Sequence, residues 1–262
     1  MHYTAADLSI IRAFRSFPDG HELNPQKLLS FIEETISVGG KVSELTLHLA
    51  RWCAQFEKDE DSWYLCSSVA YGFTWDINIP TKFFSMLNVV PPEQYEKVDT
   101  KIAKMLQAGE IVVTTRDRVA GISPLLVVDK DHSGMVEVRL VHDLSSPHGG
   151  SINDGQDIDN IKFSTVRDAM ILLRPKSLLC KVDIQNAYRS LAMAPKWWAL
   201  HVFEWRGVVY SDLRLPFGSS GSPACFTRFT RALTRLVRAK GGGCVGYVDD
   251  FCGMGTPAMD KQ

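Results

Sequence analysis

Two runs in the second half of the chain have the length and composition of β-strands, and each stops at an acid. Leu178-Leu179-Cys180-Lys181-Val182 ends at Asp183, and Cys244-Val245-Gly246-Tyr247-Val248 runs into Asp249-Asp250. Short apolar runs bounded by turn residues read as strands, and runs apolar on both sides read as buried ones. Carboxylates are seldom buried without a partner, so an acid at the end of a buried strand needs a counter-charge. If the two strands are neighbours, their carboxylates converge and repel unless a divalent cation sits between them. Oxygen-only ligation suits Mg²⁺, which is held by one or two carboxylates together with substrate phosphates. Two such ions clamp the attacking and leaving oxygens of an in-line phosphoryl transfer. An Asp-Asp pair is also a common turn or surface feature, so the surrounding sequence has to discriminate.

Of the 262 residues, 45% are hydrophobic and 23% charged, enough apolar content for one large core or two small ones. No stretch approaches the roughly 18 uninterrupted apolar residues of a membrane span. The first residues, Met1 to Asp7, lack the basic-then-apolar pattern of a secretory signal. The six cysteines form no C-x-x-C pair and have no histidines at zinc spacing. An intracellular protein with reduced thiols and no membrane partner is expected. The net charge of −1 hides an asymmetry: residues 1–100 carry 8 Lys and Arg against 14 Asp and Glu, and residues 101–262 carry 21 against 16. A basic second part is the electrostatic footprint of a protein that touches phosphates, a weak signal alone.

Periodicity predicts helices over the first 70 residues, with Leu28, Leu29, Ile32 and Ile36, then Leu45, Leu49, Trp52 and Phe56, at helical spacing. Asp59-Glu60-Asp61 reads as a loop and residues 71–92 as an irregular connector. A helix starts at Pro91-Pro92-Glu93 and runs to Gly109. Two hairpins follow, one around Asp131-His132-Ser133-Gly134 and one around Arg206-Gly207. Helices are predicted from Ser164 to just before Pro175 and from Pro223 to Ala239, the latter with Ser222 as its cap. On that helix Arg228, Arg231, Arg235 and Arg238 line one face, opposite Phe226, Phe229 and Leu233. A solvated basic face is the plainer reading and a phosphate contact the other. Trp197-Trp198 reads as core packing rather than a stacking platform. The mixture of helices and hairpins makes the fold class α+β.

Three blocks, in order, resemble the reverse transcriptase family. Lys181-Val182-Asp183-Ile184-Gln185-Asn186-Ala187-Tyr188-Arg189 is similar to its first catalytic block. Leu215-Pro216-Phe217-Gly218 through Phe226 resembles the L-P-x-G turn that leads into a palm helix. Tyr247-Val248-Asp249-Asp250 looks like the Y-x-D-D block. Upstream, Lys130, Gly134, Arg139 and Asp143 resemble the fingers hairpin. The wording is that of retroelements, either long-terminal-repeat elements or the tyrosine-recombinase class.

The resemblance implies a right-hand polymerase: fingers and partial palm over 91–262, preceded by a mostly helical region of unknown role over 1–90, which the change from acidic and helical to basic and hairpin-rich sequence marks as separable from it. It implies RNA-directed DNA synthesis, with an RNA/DNA template and primer and deoxynucleoside triphosphates as partners and two Mg²⁺ ions as cofactor (Mn²⁺ as the alternative). Asp183, Asp249 and Asp250 would be the catalytic carboxylates, and the Ile184 carbonyl would complete the metal site. Tyr188 would lie under the incoming sugar and exclude a 2′-hydroxyl, which disfavours an RNA-directed RNA polymerase. Arg139 and Lys130 would grip the triphosphate, while Phe217 and Gly218 floor the pocket. The chain stops at Gln262, twelve residues after Asp250, whereas the family continues into a primer grip and thumb. A fragment truncated after the Y-x-D-D block is therefore expected, its activity doubtful. The alternative is a non-catalytic nucleic-acid-binding remnant.

Overall fold

The computed structural model describes residues 20–78, 83–132, 135–158 and 161–255, with the side chains of 130–137 outside that description. The first part is helical. Helix α1 (Pro25–Ser37) begins where the Asn24 side chain accepts the Gln26 and Lys27 N–H groups and Pro25 takes a position that needs no donor. Helices α2 (Glu44–Leu47), α3 (Leu49–Phe56) and α4 (Ser62–Tyr71) follow, with Asp59-Glu60-Asp61 in the turn before α4. The connector touches the rest through a two-residue strand, β1 (Asp76–Ile77), and isolated bridges such as Ser85 to Ile122 and Val89 to Leu126.

Beyond it, Pro92–Gln94 forms a 3₁₀ turn that opens α5 (Tyr95–Gln107). Strand β2 (Ile111–Thr114) leads to the hairpin β3 (Leu125–His132) and β4 (Met135–His142), then to β5 (Gln156–Asp157), which pairs with β1. Helix α6 (Val166–Leu172) is capped by a reciprocal Thr165–Asp168 box. Strand β6 (Leu178–Asp183), the short helix α7 (Ala187–Ser190), strands β7 (Val202–Trp205) and β8 (Val208–Asp212), helix α8 (Gly221–Ala239), β9 (Gly243–Tyr247) and β10 (Asp250–Gly255) complete it. Two three-stranded sheets, ordered β6-β10-β9 and β2-β8-β7, are antiparallel throughout. The fold is α+β, as the sequence implies.

Three expectations need correction. Strand β6 is not buried: all six residues are exposed, Leu179 at 60% and Val182 at 55%, on one edge of its sheet. Asp183 thus does not end a buried strand. Ser222 does not cap α8; the helix begins at Gly221, and the Ser222 hydroxyl donates to the Pro216 carbonyl at 2.8 Å. Nor does the helical first part stand apart in its packing. The apolar stripe of α8 must be covered, and α3 covers it: Phe229 packs at 5.6 Å from Trp52 and 5.8 Å from Phe56, ring to ring. Leu49, Cys53 and Phe56 belong to the same buried cluster as Phe226 and Leu215.

The opposite face of α8 is partly exposed, with Arg231 and Arg238 at the surface, but its arginines are not free. Arg235 forks onto Asp59 at 2.8 and 2.6 Å, and Arg228 pairs with Asp61. Arg231 donates to the Lys162 carbonyl and Arg238 to that of Cys244. The acidic surplus of the first part meets the basic surplus of the second along this helix.

Candidate nucleotide and metal site

Strands β6 and β10 run antiparallel with Asp183 directly opposite Asp250. Directly paired residues point to one face with Cβ atoms roughly 5 Å apart, so the two carboxylates are neighbours. Asp249 lies in the two-residue turn Val248-Asp249, closed by the Tyr247–Asp250 pairing. A turn this tight between twisted strands needs positive φ, and Val248 supplies it at φ 53. A β-branched residue is strained there. Its carbonyl is held by the Thr230 hydroxyl of α8, and the Asp249 carbonyl accepts the Ile184 N–H at 3.0 Å. The two strand ends that carry the acids are thereby locked together.

Among the described residues, Lys181 attends them. Two residues before Asp183 and so on the same face, it places Nζ 2.9 Å from Asp250 Oδ1. That hydrogen bond, then the charges of Asp250, Asp183 and Asp249, push its ammonium pKa up. Among the described residues no three His, Cys, Asp or Glu side chains converge into a ready cage. The donor set present is two facing carboxylates and a third one residue away, all oxygen. It fits Mg²⁺, which keeps waters and substrate oxygens in its shell, better than a metal that demands a complete protein cage.

Beside the acids lies an aromatic shelf. Tyr188 on α7 has its ring 5.3 Å from Phe217 and 5.4 Å from Phe226, and the Arg139 guanidinium sits 4.6 Å over the Phe217 ring. Burial pushes the Tyr188 phenol up to about 12, with Asp249 adding to the rise and Arg139 opposing it. Arg139 and Asp249 are thus each within electrostatic reach of Tyr188. Gly218 has φ 100, and a Cβ there would overlap the His142 carbonyl oxygen. Only glycine lets the turn press against the end of β4, where the His142 N–H donates to the Phe217 carbonyl at 3.0 Å. The Lys130 backbone pairs with Glu137 in the hairpin, two residues along β3 from the partner of Arg139; its side chain lies outside the described residues, as does Gly134. Asp143 instead accepts the Ser146 hydroxyl at 2.6 Å and turns the chain after β4.

Residues 122–256 match the family model described as reverse transcriptase (RNA-dependent DNA polymerase). This chain belongs to the reverse transcriptase family. Solved structures of foamy virus protease–reverse transcriptase share its fold. The selenomethionine-labelled CSH mutant of the prototype foamy virus enzyme is 20% identical with a TM-score of 0.55, over 84% of this chain and 30% of that one. A foamy viral complex with dsDNA is 14% identical with a TM-score of 0.56, over 99% of this chain and 47% of that one. A complex with RNA/DNA hybrid is 16% identical with the same TM-score, 0.56, over 88% of this chain and 30% of that one. The chain therefore spans less than half the length of each. No curated protein sequence matches it.

The reverse transcriptase blocks flag the acids and the shelf, but not what lies beneath. Arg189, directly after Tyr188, turns inward to Asp212 and Glu110. A signal for Asp212 was present: it too is an acid ending an apolar strand, Val208-Val209-Tyr210-Ser211. Trp197 and Trp198 are buried, their indole N–H groups donating to Thr74 Oγ1 and the Met193 carbonyl. No helix among the described residues is long and apolar enough to cross a membrane.

Proposed function

We propose that this chain carries the nucleotidyl-transfer centre of an RNA-directed DNA polymerase of retroelement type, adding deoxynucleotides to a primer 3′-hydroxyl on an RNA or DNA template. The observation that carries the reading is the register placing Asp183 against Asp250, with Asp249 in the adjoining turn and Tyr188 beside it. Asp183, Asp249 and Asp250, with the Ile184 carbonyl, would hold Mg²⁺. When bound, the metal neutralises developing charge on the attacking and leaving oxygens. Arg139, and Lys130 from the neighbouring strand, bind the triphosphate. Phe217 and Gly218 form the floor on which the nucleotide rests, and the Tyr188 ring occupies the space a 2′-hydroxyl would need. Fingers and partial palm correspond to residues 91–262, and the helices before them buttress α8. The duplexes held by the foamy viral structures are the partners proposed here.

The test is primer extension on an RNA template with deoxynucleotides and Mg²⁺, comparing the unaltered chain with Asp183→Asn and Asp249→Asn. Synthesis that survives Asp249→Asn undiminished removes the catalytic assignment. A second reading, a non-catalytic nucleic-acid-binding remnant, is favoured by the Lys181–Asp250 pair, which already neutralises one of the three acids. Template–primer binding at full strength with no incorporation under either Mg²⁺ or Mn²⁺ is its signature.

A further inference from the structure

Asp212 is an acid that ends a fully buried position, and it has its counter-charge. Arg189 Nη1 lies 2.7 and 2.6 Å from the two Asp212 carboxylate oxygens, and Arg189 Nε lies 3.1 Å from Glu110 Oε2. Asp212 also accepts the Arg214 N–H at 3.0 Å, and His142 Nε2 stands 3.5 Å away. Arg214 stays charged although burial, then Arg189, push it down to about 10. Burial first holds His142 neutral, down to about 4, and lowers His201 as well. Two carboxylates and two guanidiniums therefore balance around neutral imidazoles.

What this cluster grips is the shelf above it. Helix α7 has four residues, starts from a left-handed Asn186 at φ 55 and has no side-chain cap. A helix this short has little stability of its own. Asp212 opens the segment that ends at Phe217. Main-chain bonds from Met193 to Leu213 at 2.9 Å and from Leu215 to Leu191 at 3.0 Å keep that segment beside the chain leaving α7. His142 closes the strand that carries Arg139 and bonds the Phe217 carbonyl. The cluster thus touches each of the three segments that bring Tyr188, Phe217 and Arg139 together.

We propose that Arg189, clamped by Asp212 and Glu110, is a positioning residue that fixes Tyr188 against Phe217 and so sets the preference for deoxynucleotides over ribonucleotides. The proposal rests on the nucleotide-site reading above. Steric exclusion of one hydroxyl is a short-range effect, since a gap of about 1 Å already forfeits much of a van der Waals contact or clash. Buried ion pairs add little net stability compared with apolar packing, so stability alone is a poor reason for one beneath the shelf. A rigid fork that holds geometry is a better one.

The experiment measures binding of dATP and ATP by competition in Mg²⁺, with the melting temperature, for the unaltered chain, Tyr188→Ala, Arg189→Lys, and the double variant Arg189→Met with Asp212→Leu. Arg189→Lys keeps the charge and loses the fork; it is expected to lower the dATP preference roughly tenfold. The double variant, apolar on both sides, is expected to recover stability without recovering preference. Preference that returns with stability in the double variant, or stays intact in Arg189→Lys while Tyr188→Ala loses it, overturns the positioning role alone. Preference intact in Tyr188→Ala overturns the nucleotide-site reading and this inference with it.

Discussion

Replacing Gly218 with alanine is the sharpest probe of the shelf. At φ 100 an L-residue is strained, which costs on the order of 1–3 kcal/mol by itself. The new methyl group would also overlap the His142 carbonyl oxygen, a main-chain atom with little freedom. His142 is held by its pairing with Leu125 across the β3–β4 hairpin and by its 3.0 Å bond to the Phe217 carbonyl. Relief means breaking at least that bond, worth about 1 kcal/mol, and pulling Phe217 from under Arg139. The sum is about 3–5 kcal/mol, which for a chain this size lowers the melting temperature by roughly 10 °C. Gly207→Ala is the control, since Gly207 has φ 78 but open space around it. It should cost only the backbone strain, about 1–2 kcal/mol. Urea unfolding of both variants, with nucleotide binding for Gly218→Ala, checks the difference. If Gly218→Ala is no less stable than Gly207→Ala, the close approach of turn and strand is not real.

Two further outcomes follow from the core and the buried imidazole. Phe229→Ala empties the junction between α3 and α8 and is expected to cost about 3–5 kcal/mol in urea unfolding; a loss confined to below about 1 kcal/mol would mean the helices pack independently. His142 has its folded pKa depressed by burial from 6.5 to about 4, so the unfolded chain takes up the proton first as pH falls. Stability from this group is complete above pH 6.5 and is lost between there and pH 4, on the order of 3 kcal/mol in all. His142→Phe should flatten that part of the stability–pH curve, and an unchanged slope would show that His142 is not buried neutral.

The order of elements, both hairpins and the helix with its two faces were legible because periodicity is a local property of the residues concerned. Burial was not. Nothing within Leu178–Val182 says that β6 will be an edge, since that depends on which strands pair with it, and an apolar run looks the same in either place. The rule linking a strand-ending acid to a counter-charge was sound, but it belonged to Asp212, where Arg189 answers it from 23 residues away in sequence. Likewise Ser222-Pro223 has the composition of a helix start, yet the turn before it gave the serine a carbonyl to bond and let the helix begin earlier. The acidic turn Asp59–Asp61 and the arginines of α8 were each visible, while their pairing, across more than 160 residues, was not.

That pairing changes what the arginine count means for nucleic-acid affinity. The salt dependence of binding to a duplex comes from counterions released when free cations neutralise phosphates, each contact adding about 0.9 to the logarithmic slope. Arg228 and Arg235 are already paired with carboxylates of their own chain, so they are not free to neutralise phosphates and to release the cations condensed on the duplex. Half of the stripe is therefore silent in a salt titration, and the basic surplus of the second part overstates the number of phosphates the protein can grip.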